Sequence, residues 1–283
     1  MSKTLNNSEL TRLKNLGWKI PKLKSFGLIK PTYIDESSIS FPSKIWEDSR
    51  TNQRTNEFWE TQRANSIADI LKKLKIETIW EIGAGNGSVA VPLRDRGFNV
   101  IAVEPLRSGA SLLLERGFTT FWSTLESVKL PDNSIQAIGA FDVLEHLAEP
   151  RIFLDEVHRV LKPGGIFICS VPAHQWLFSY FDIALGHHRR YSPRSLRQEL
   201  IRSNLPSIRL DHLFAFLIIP AFISRKIPYM LGRKSKSSKT ITLNKYQSYF
   251  IARIQVFLRI IVLVEKKLRL KLGLSLISAS IKK

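Results

Sequence analysis

A chain of 283 residues, 44% of them hydrophobic and 24% charged, can bury one sizeable core with extensions, which excludes a disordered or collagen-like chain and leaves little room for a second full domain. The formal net charge of +19 is lopsided: from Phe181 onward there are 21 Lys and Arg against 4 Asp and Glu, leaving about +2 for everything before. A near-neutral body with a basic tail calls for an anionic partner, whether a membrane surface, a nucleic acid or an acidic substrate.

From about residue 62, strand-length apolar runs alternate with helical patterns. Ser66 to Leu74 has helix spacing, ETIWEI (77–82) reads as a buried strand, and SVAVPLRDRG as a helix closed by a glycine. FNVIAVEP (98–105) is a second strand, SGASLLLERG a second helix and TTFW (119–122) a short third strand. IQAIGAFDV (135–143) is a fourth strand, EPRIFLDEVHRVLKPGG a helix stopped by Pro163-Gly164-Gly165, and IFICSV (166–171) a fifth strand. This alternation predicts an α/β fold over residues 62–215, with right-handed crossovers, a mostly parallel sheet and helices on both faces. The single cysteine, Cys169, lies inside an apolar run and excludes an intrachain disulfide or a thiolate metal site. The N-terminal stretch has no apolar core of secretory length, so a cytoplasmic location is expected.

The stretch IWEIGAGNGS places Gly83, Gly85 and Gly87 directly after the first strand. Glycines let the chain turn tightly and let a ligand touch the backbone, and the helix that follows offers free N–H groups. That suits a nucleoside-bearing cofactor. A dinucleotide fingerprint would put its third glycine at position 88, which is Ser88, so a pyrophosphate is disfavoured. Glu104 closes the second strand, 21 residues past Gly83, where an acid accepts both ribose hydroxyls. Either feature alone is often only a tight turn or a solvated acid; together they favour cofactor binding.

The succession E-I-G-A-G-N-G, Glu104, G-A-F-D-V-L-E-H and V-L-K-P-G-G resembles the class I S-adenosylmethionine-dependent methyltransferases over about residues 58–215. V-P-A-H-Q-W-L-F and G-H-H-R-R-Y fit a small-molecule or lipid-type subgroup of them. The resemblance implies a seven-stranded Rossmann-like methyltransferase sheet, mostly parallel with an antiparallel last strand. RLDHLFAF would be the sixth strand and residues 271–283, with SLISASIKK, would supply the seventh. It further implies S-adenosyl-L-methionine as cofactor. Glu81, Gly83, Gly85 and Gly87 would surround its methionine end, Glu104 would hold the ribose, and Glu126 would stand near the adenine amino group. Phe141 and Asp142 would lie beside the sulfonium. The pattern departs at Ile135-Gln136, where the family often reads Phe-Asp, a change at the strand start rather than the site.

Methyl transfer is an in-line displacement that alignment and exclusion of water accelerate, so no conspicuous catalytic constellation is required. A hydroxyl or protonated amine acceptor also needs a base, and His146 is the candidate; the plain alternative is a solvent-facing residue at a helix start. His187, His188, Arg189, Arg190 and Tyr191 are expected at the acceptor's entrance, the arginines gripping a phosphate or carboxylate. Otherwise they cap the helix SPRSLRQELI and pair with surface acids. Asp142, Glu145, His146 and one of His187 or His188 are the set that could converge on a divalent ion. No tight two-histidine spacing marks such a site, and no metal is expected.

Residues 216–270 form an insertion far longer than an ordinary connection. HLFAFLIIPAFI is too short to span a bilayer and is interrupted by Pro220. RKIPYMLGRKSKSSKTITLNK is a basic loop, and a helical stretch follows in which Arg253 and Arg259 interrupt the apolar run. Apolar segments beside a Lys/Arg cluster predict an interfacial element, peripheral on the inner face of the membrane, serving a small-molecule or lipid-linked acceptor. The alternative is a lid packed on the sheet. The rival class is an RNA methyltransferase acting on ribose or tRNA through the basic region. It ranks second, because D-V-L-E-H stands where base-amine enzymes carry Pro-Pro-aromatic, and carbon-directed cytosine enzymes need a nucleophilic cysteine beside the fourth strand, whereas the only cysteine is on the fifth. Residues 1–61 are read as a lid, with Phe58-Trp59 over the cofactor and Arg63 reaching its carboxylate.

Overall fold

The computed structural model describes residues 28–29, 39, 41, 57–232, 261–262, 264–265 and 271–283. Its eight strands are β1 (Leu28–Ile29), β2 (Thr78–Ile82), β3 (Asn99–Glu104), β4 (Thr119–Trp122), β5 (Ile135–Phe141), β6 (Leu161–Pro172), β7 (Ser207–Leu213) and β8 (Ser275–Ile281), in one sheet of order β1-β4-β3-β2-β5-β6-β8-β7. Only β8 runs against its neighbours, pairing antiparallel with both β6 and β7. The seven-stranded Rossmann-like sheet is therefore present, widened by the two-residue β1, which pairs parallel with β4.

The central strands are buried on both faces, which is why they read as continuous apolar runs rather than alternating ones. Along β6, Phe167, Cys169 and Val171 pack into one cluster with Ile138, Leu154 and Leu144. Ile166 and Ile168 turn to the other face, against Ile79, Ile67 and Leu71 of the helix Glu57–Lys73.

Two boundaries differ from expectation. The helix Pro150–Val160 stops before Pro163, because Leu161 is already extended and pairs with Ile135. The register shifts between Ile135 and Ala137, so Pro163 falls where the ladder is irregular and needs no donor. The helix Glu57–Lys73 begins ahead of residue 62, with Phe58 buried against Val262.

After β7 the chain runs through single turns of different pitch: 3-10 at Ala215–Leu217, α at Ile218–Ala221, π at Phe222–Lys226 and α at Ile227–Met230. This run docks on residues 176–181. Trp176 and Phe222 lie 5.9 Å apart between ring centroids, Tyr180 and Tyr229 4.6 Å, and Lys226 Nζ donates to the Phe178 carbonyl at 3.0 Å. Ile219, Ile223 and Met230 remain exposed on it. Among the described residues no helix is long and apolar enough to cross a membrane. The basic loop from residue 233 and most of the helical stretch after it lie outside the described residues, as does most of the expected lid.

Candidate cofactor and acceptor site

A cavity of about 540 Å³ opens beyond the carboxyl ends of β2, β3 and β5, where ligands of open α/β sheets bind. Its floor is the turn after β2. Gly83, Gly85 and Gly87 have φ of +69°, +55° and +80°. A Cβ on Gly83 would lie 2.7 Å from Val143 Cγ2, so this backbone must stay bare.

Glu104 is buried beside that turn. Its Oε2 accepts from the Gly85 N–H at 2.7 Å and its Oε1 from the Leu106 N–H at 2.9 Å. Gly109 presses the carboxylate into place: a Cβ there would meet Glu104 Cγ and the Gly85 carbonyl, both at 2.9 Å. Sequence reading passed over Gly109 because a glycine inside a helical pattern carries no sign of what it packs against.

Glu81, at the end of β2, is fully buried, and its Oε2 has no hydrogen-bond partner among the described residues. Burial, aided by the Glu104 charge and opposed by Arg63, pushes it from 4.5 up to about 8. Asp142, at φ +55° just past β5, accepts from Arg63 and from Ser170 Oγ at 3.0 Å. Phe141 folds back under Gly139, where any Cβ would clash with its ring at 2.6 Å. Glu126 sits at the cavity mouth in a short helix capped by Thr124, whose side chain accepts from Ser127 N.

On the far side, the 3-10 turn Leu144–His146 brings Glu145 and His146 against His187. The two imidazoles meet edge-on with centroids 4.7 Å apart, and Phe41 lies against His146 at 5.3 Å. Burial, then the neighbouring His187, lowers His146 to about 4, so it is neutral at physiological pH. Glu145 is wholly buried, with neither oxygen hydrogen-bonded among the described residues, and burial followed by the Asp142 charge holds its carboxyl well above the usual range. Glu145, His146 and His187 each offer one ligand atom within 4.8 Å of the others, a donor set able to hold a cation. The fold supplies the proximity that the sequence spacing lacks.

Of the five residues expected at the entrance, His187 and Arg190 line the cavity. Arg190 is buried and donates through Nε to Asp182 Oδ1 at 2.7 Å; the same oxygen lies 3.0 Å from His187 Nδ1. Asp182 Oδ2 accepts from Ser179 N and Oγ. The other three lie off the cavity. Arg189 donates to the Leu147 and Ala148 carbonyls, Tyr191 is buried with its hydroxyl on the Leu144 carbonyl, and His188 is exposed. Gly87 also lies off it, packed near Leu113. Ile39 and Phe41, the two described residues of the expected lid outside β1 and the first helix, line it.

A family model for the methyltransferase domain matches residues 51–208, more than half of the chain. The chain belongs to this methyltransferase family. Among curated relatives, an uncharacterized methyltransferase of Mycolicibacterium vanbaalenii is 28% identical over 47% of this chain and 51% of its own. A ubiquinone biosynthesis O-methyltransferase of Nitrobacter winogradskyi is 30% identical over 42% of this chain and 48% of its own. The chain thus spans about half the length of the curated relatives it matches. Among solved structures, a Haloferax volcanii methyltransferase complexed with a methyltransferase activator superposes with a TM-score of 0.56 at 15% identity, covering 85% of this chain and 96% of that one. A SAM-dependent methyltransferase of Thermotoga maritima gives 0.55 at 17% identity over 85% and 95%. At these identities the likeness is one of fold.

Proposed function

We propose that the chain transfers a methyl group from S-adenosyl-L-methionine to a small-molecule or lipid-linked acceptor, working against an anionic membrane surface. The observation that carries the cofactor assignment is the buried Glu104, held by the Gly85 and Leu106 N–H groups at the end of β3 and lining the cavity beside the bare glycine turn, where an acid suits a ribose. The bare turn at Gly83 and Gly85 fits the methionine end, Glu126 at the mouth fits the adenine amino group, and Phe141 and Asp142 flank the reacting centre. Gly87 shapes the turn from behind. The missing glycine at position 88 favours this group over a dinucleotide.

The cofactor supplies an electrophilic methyl group on a sulfonium. The chain's own residues supply position and dryness. Apolar walls from Ile82, Leu106, Phe141, Leu147 and Phe153 exclude water from the line of attack. Neutral Glu81, whose Oε2 has no hydrogen-bond partner among the described residues, gives up its proton beside a cationic ligand and becomes its counter-charge. His146, unprotonated across the physiological range, accepts the acceptor's proton, with the Asp142 charge favouring the imidazolium. His187 sits beside it; His188, Arg189 and Tyr191 brace the entrance loop from outside the cavity.

The membrane reading is supported by the exposed Ile219, Ile223 and Met230 on the run that reaches the cavity through Arg225, and by the concentration of Lys and Arg after Phe181. The test is incubation of a cell extract with methyl-labelled cofactor, followed by separation into lipid, nucleic-acid and small-molecule fractions. Label in the lipid or small-molecule fraction is expected; label confined to nucleic acid would favour the RNA reading. Flotation with anionic liposomes at low salt tests the membrane half, and recovery in the soluble fraction would remove it.

A further inference from the structure

We infer that Arg225, aimed into the acceptor side of the cavity by the π-helical turn Phe222–Lys226, is the subsite for a phosphate or carboxylate on an amphiphilic acceptor. The inference rests on the methyltransferase reading and names the acceptor's chemical class. The argument is one of charge. At this end of the cavity stand two guanidinium groups, Arg190 and Arg225, and one carboxylate close to both, Asp182. Asp182 is committed: it takes the Arg190 Nε, faces His187 and accepts twice from Ser179. Arg190 is answered by it. Arg225 has no ion pair among the described residues; its guanidinium lies over the Phe181 ring, 4.0 Å from the centroid. Burial, then the charge of Arg190, lowers its proton affinity, and Asp182, already bound to Arg190, opposes this only in part. A partly buried cation in surplus is costly unless an anion completes it, and a guanidinium matches phosphate and carboxylate oxygens with paired donors.

The turn itself supports a built site. An α-helix widened to π geometry displaces the side chains of one turn and recurs at functional positions. Here it is clamped to residues 176–181 on both sides of Arg225, by Trp176 against Phe222 and by Lys226 on the Phe178 carbonyl. The surplus charge is not placed for the methionine carboxylate, because Arg63 stands on the side of Glu81 and Asp142, whereas Arg225 shares its surroundings with Arg190 and Asp182. Phe181, under the guanidinium, and Leu185, one helical turn further on and also lining the cavity, offer apolar wall beside it. An anionic head at Arg225 with an apolar chain along these walls is the arrangement that fits.

The experiment is calorimetric titration of the full chain, saturated with S-adenosylhomocysteine, with octyl phosphate, inorganic phosphate and octanol, in wild type, Arg225→Gln and Arg225→Lys. Octyl phosphate should bind at one site, at least about tenfold more tightly than inorganic phosphate, with octanol not detected. Arg225→Gln should weaken it by about tenfold or more while leaving S-adenosylhomocysteine affinity within about twofold, and Arg225→Lys should recover part of the loss. Octyl phosphate failing to bind wild type, or binding Arg225→Gln equally, would overturn the subsite. Equal affinity for inorganic phosphate would overturn the apolar half and leave a soluble oxyanion. Loss of S-adenosylhomocysteine in Arg225→Gln would reassign the arginine to the cofactor. If wild type takes no S-adenosylhomocysteine, the methyltransferase reading falls, and the same comparison with octyl phosphate alone still decides the role of Arg225.

Discussion

Gly85 and Glu104 meet in a hydrogen bond of 2.7 Å from the glycine N–H to the carboxylate, tying the turn after β2 to the end of β3. The contact joins the glycine turn to the acid at the end of β3, and it makes Glu104 a structural acceptor as well as the proposed ribose ligand. Glu104→Ala should leave the Gly85 and Leu106 N–H groups buried without partners, costing about 1–3 kcal/mol each in stability. It should also lower S-adenosylhomocysteine affinity by more than about tenfold. Gly109→Ala should weaken the cofactor in the same direction without removing any polar group, because its Cβ would push Glu104 aside. Unchanged affinity in both variants, measured by titration, would count against the site.

Glu81 should make stability fall with rising pH. Its folded value, about 8, lies above the ordinary 4.5, so between those values the folded chain holds a proton that the unfolded chain has lost. Unfolding is then favoured by up to about 1.4 kcal/mol per pH unit. Glu81→Gln keeps the neutral shape and lacks this dependence. Urea unfolding at pH 5 and pH 8.5 should show the variant gaining on wild type at the higher pH; a constant difference would contradict the assignment.

His146 should titrate near 4, well below the ordinary 6.5, because it is buried beside a second imidazole. NMR titration of its ring proton checks this, and His187→Gln should move the midpoint upward. A midpoint near 6.5 in wild type would show a solvated ring instead.

The legible parts of this molecule were those whose signal is local. The apolar runs at 78–82, 99–104 and 119–122 are strands because they are buried on both faces, and the glycine turn and Glu104, paired by their spacing in sequence, lie side by side in the fold. What stayed hidden depends on distant partners. β6 was expected to begin at Ile166 because Pro163-Gly164-Gly165 looks like a terminator, yet Leu161 finds Ile135 across the sheet. Arg189 and Arg190 look equivalent in sequence, and only the fold gives one to backbone carbonyls and the other to Asp182. Arg225 opens what reads as a basic loop; its place in the cavity lining depends on a π turn that no local pattern announces.

Lys282 gives a stability prediction independent of the site. Its ammonium donates to Asn133 Oδ1 at 2.7 Å, the His158 carbonyl at 2.6 Å and the Leu161 carbonyl at 2.9 Å, joining the end of β8 to the C-terminus of the helix Pro150–Val160. Lys282→Met should cost about 2 kcal/mol of unfolding free energy, because a charged donor to several acceptors is among the stronger hydrogen-bonding arrangements. A loss below about 0.5 kcal/mol would show the clamp to be solvated.

The central claim is that the cavity beyond β2 and β3 is built for a sulfonium nucleoside rather than a dinucleotide. Calorimetric titration of the chain with S-adenosylhomocysteine and, separately, with NAD tests it most directly. One molecule of S-adenosylhomocysteine per chain, with no measurable heat from NAD, is the predicted result; saturable NAD binding without S-adenosylhomocysteine binding would contradict it.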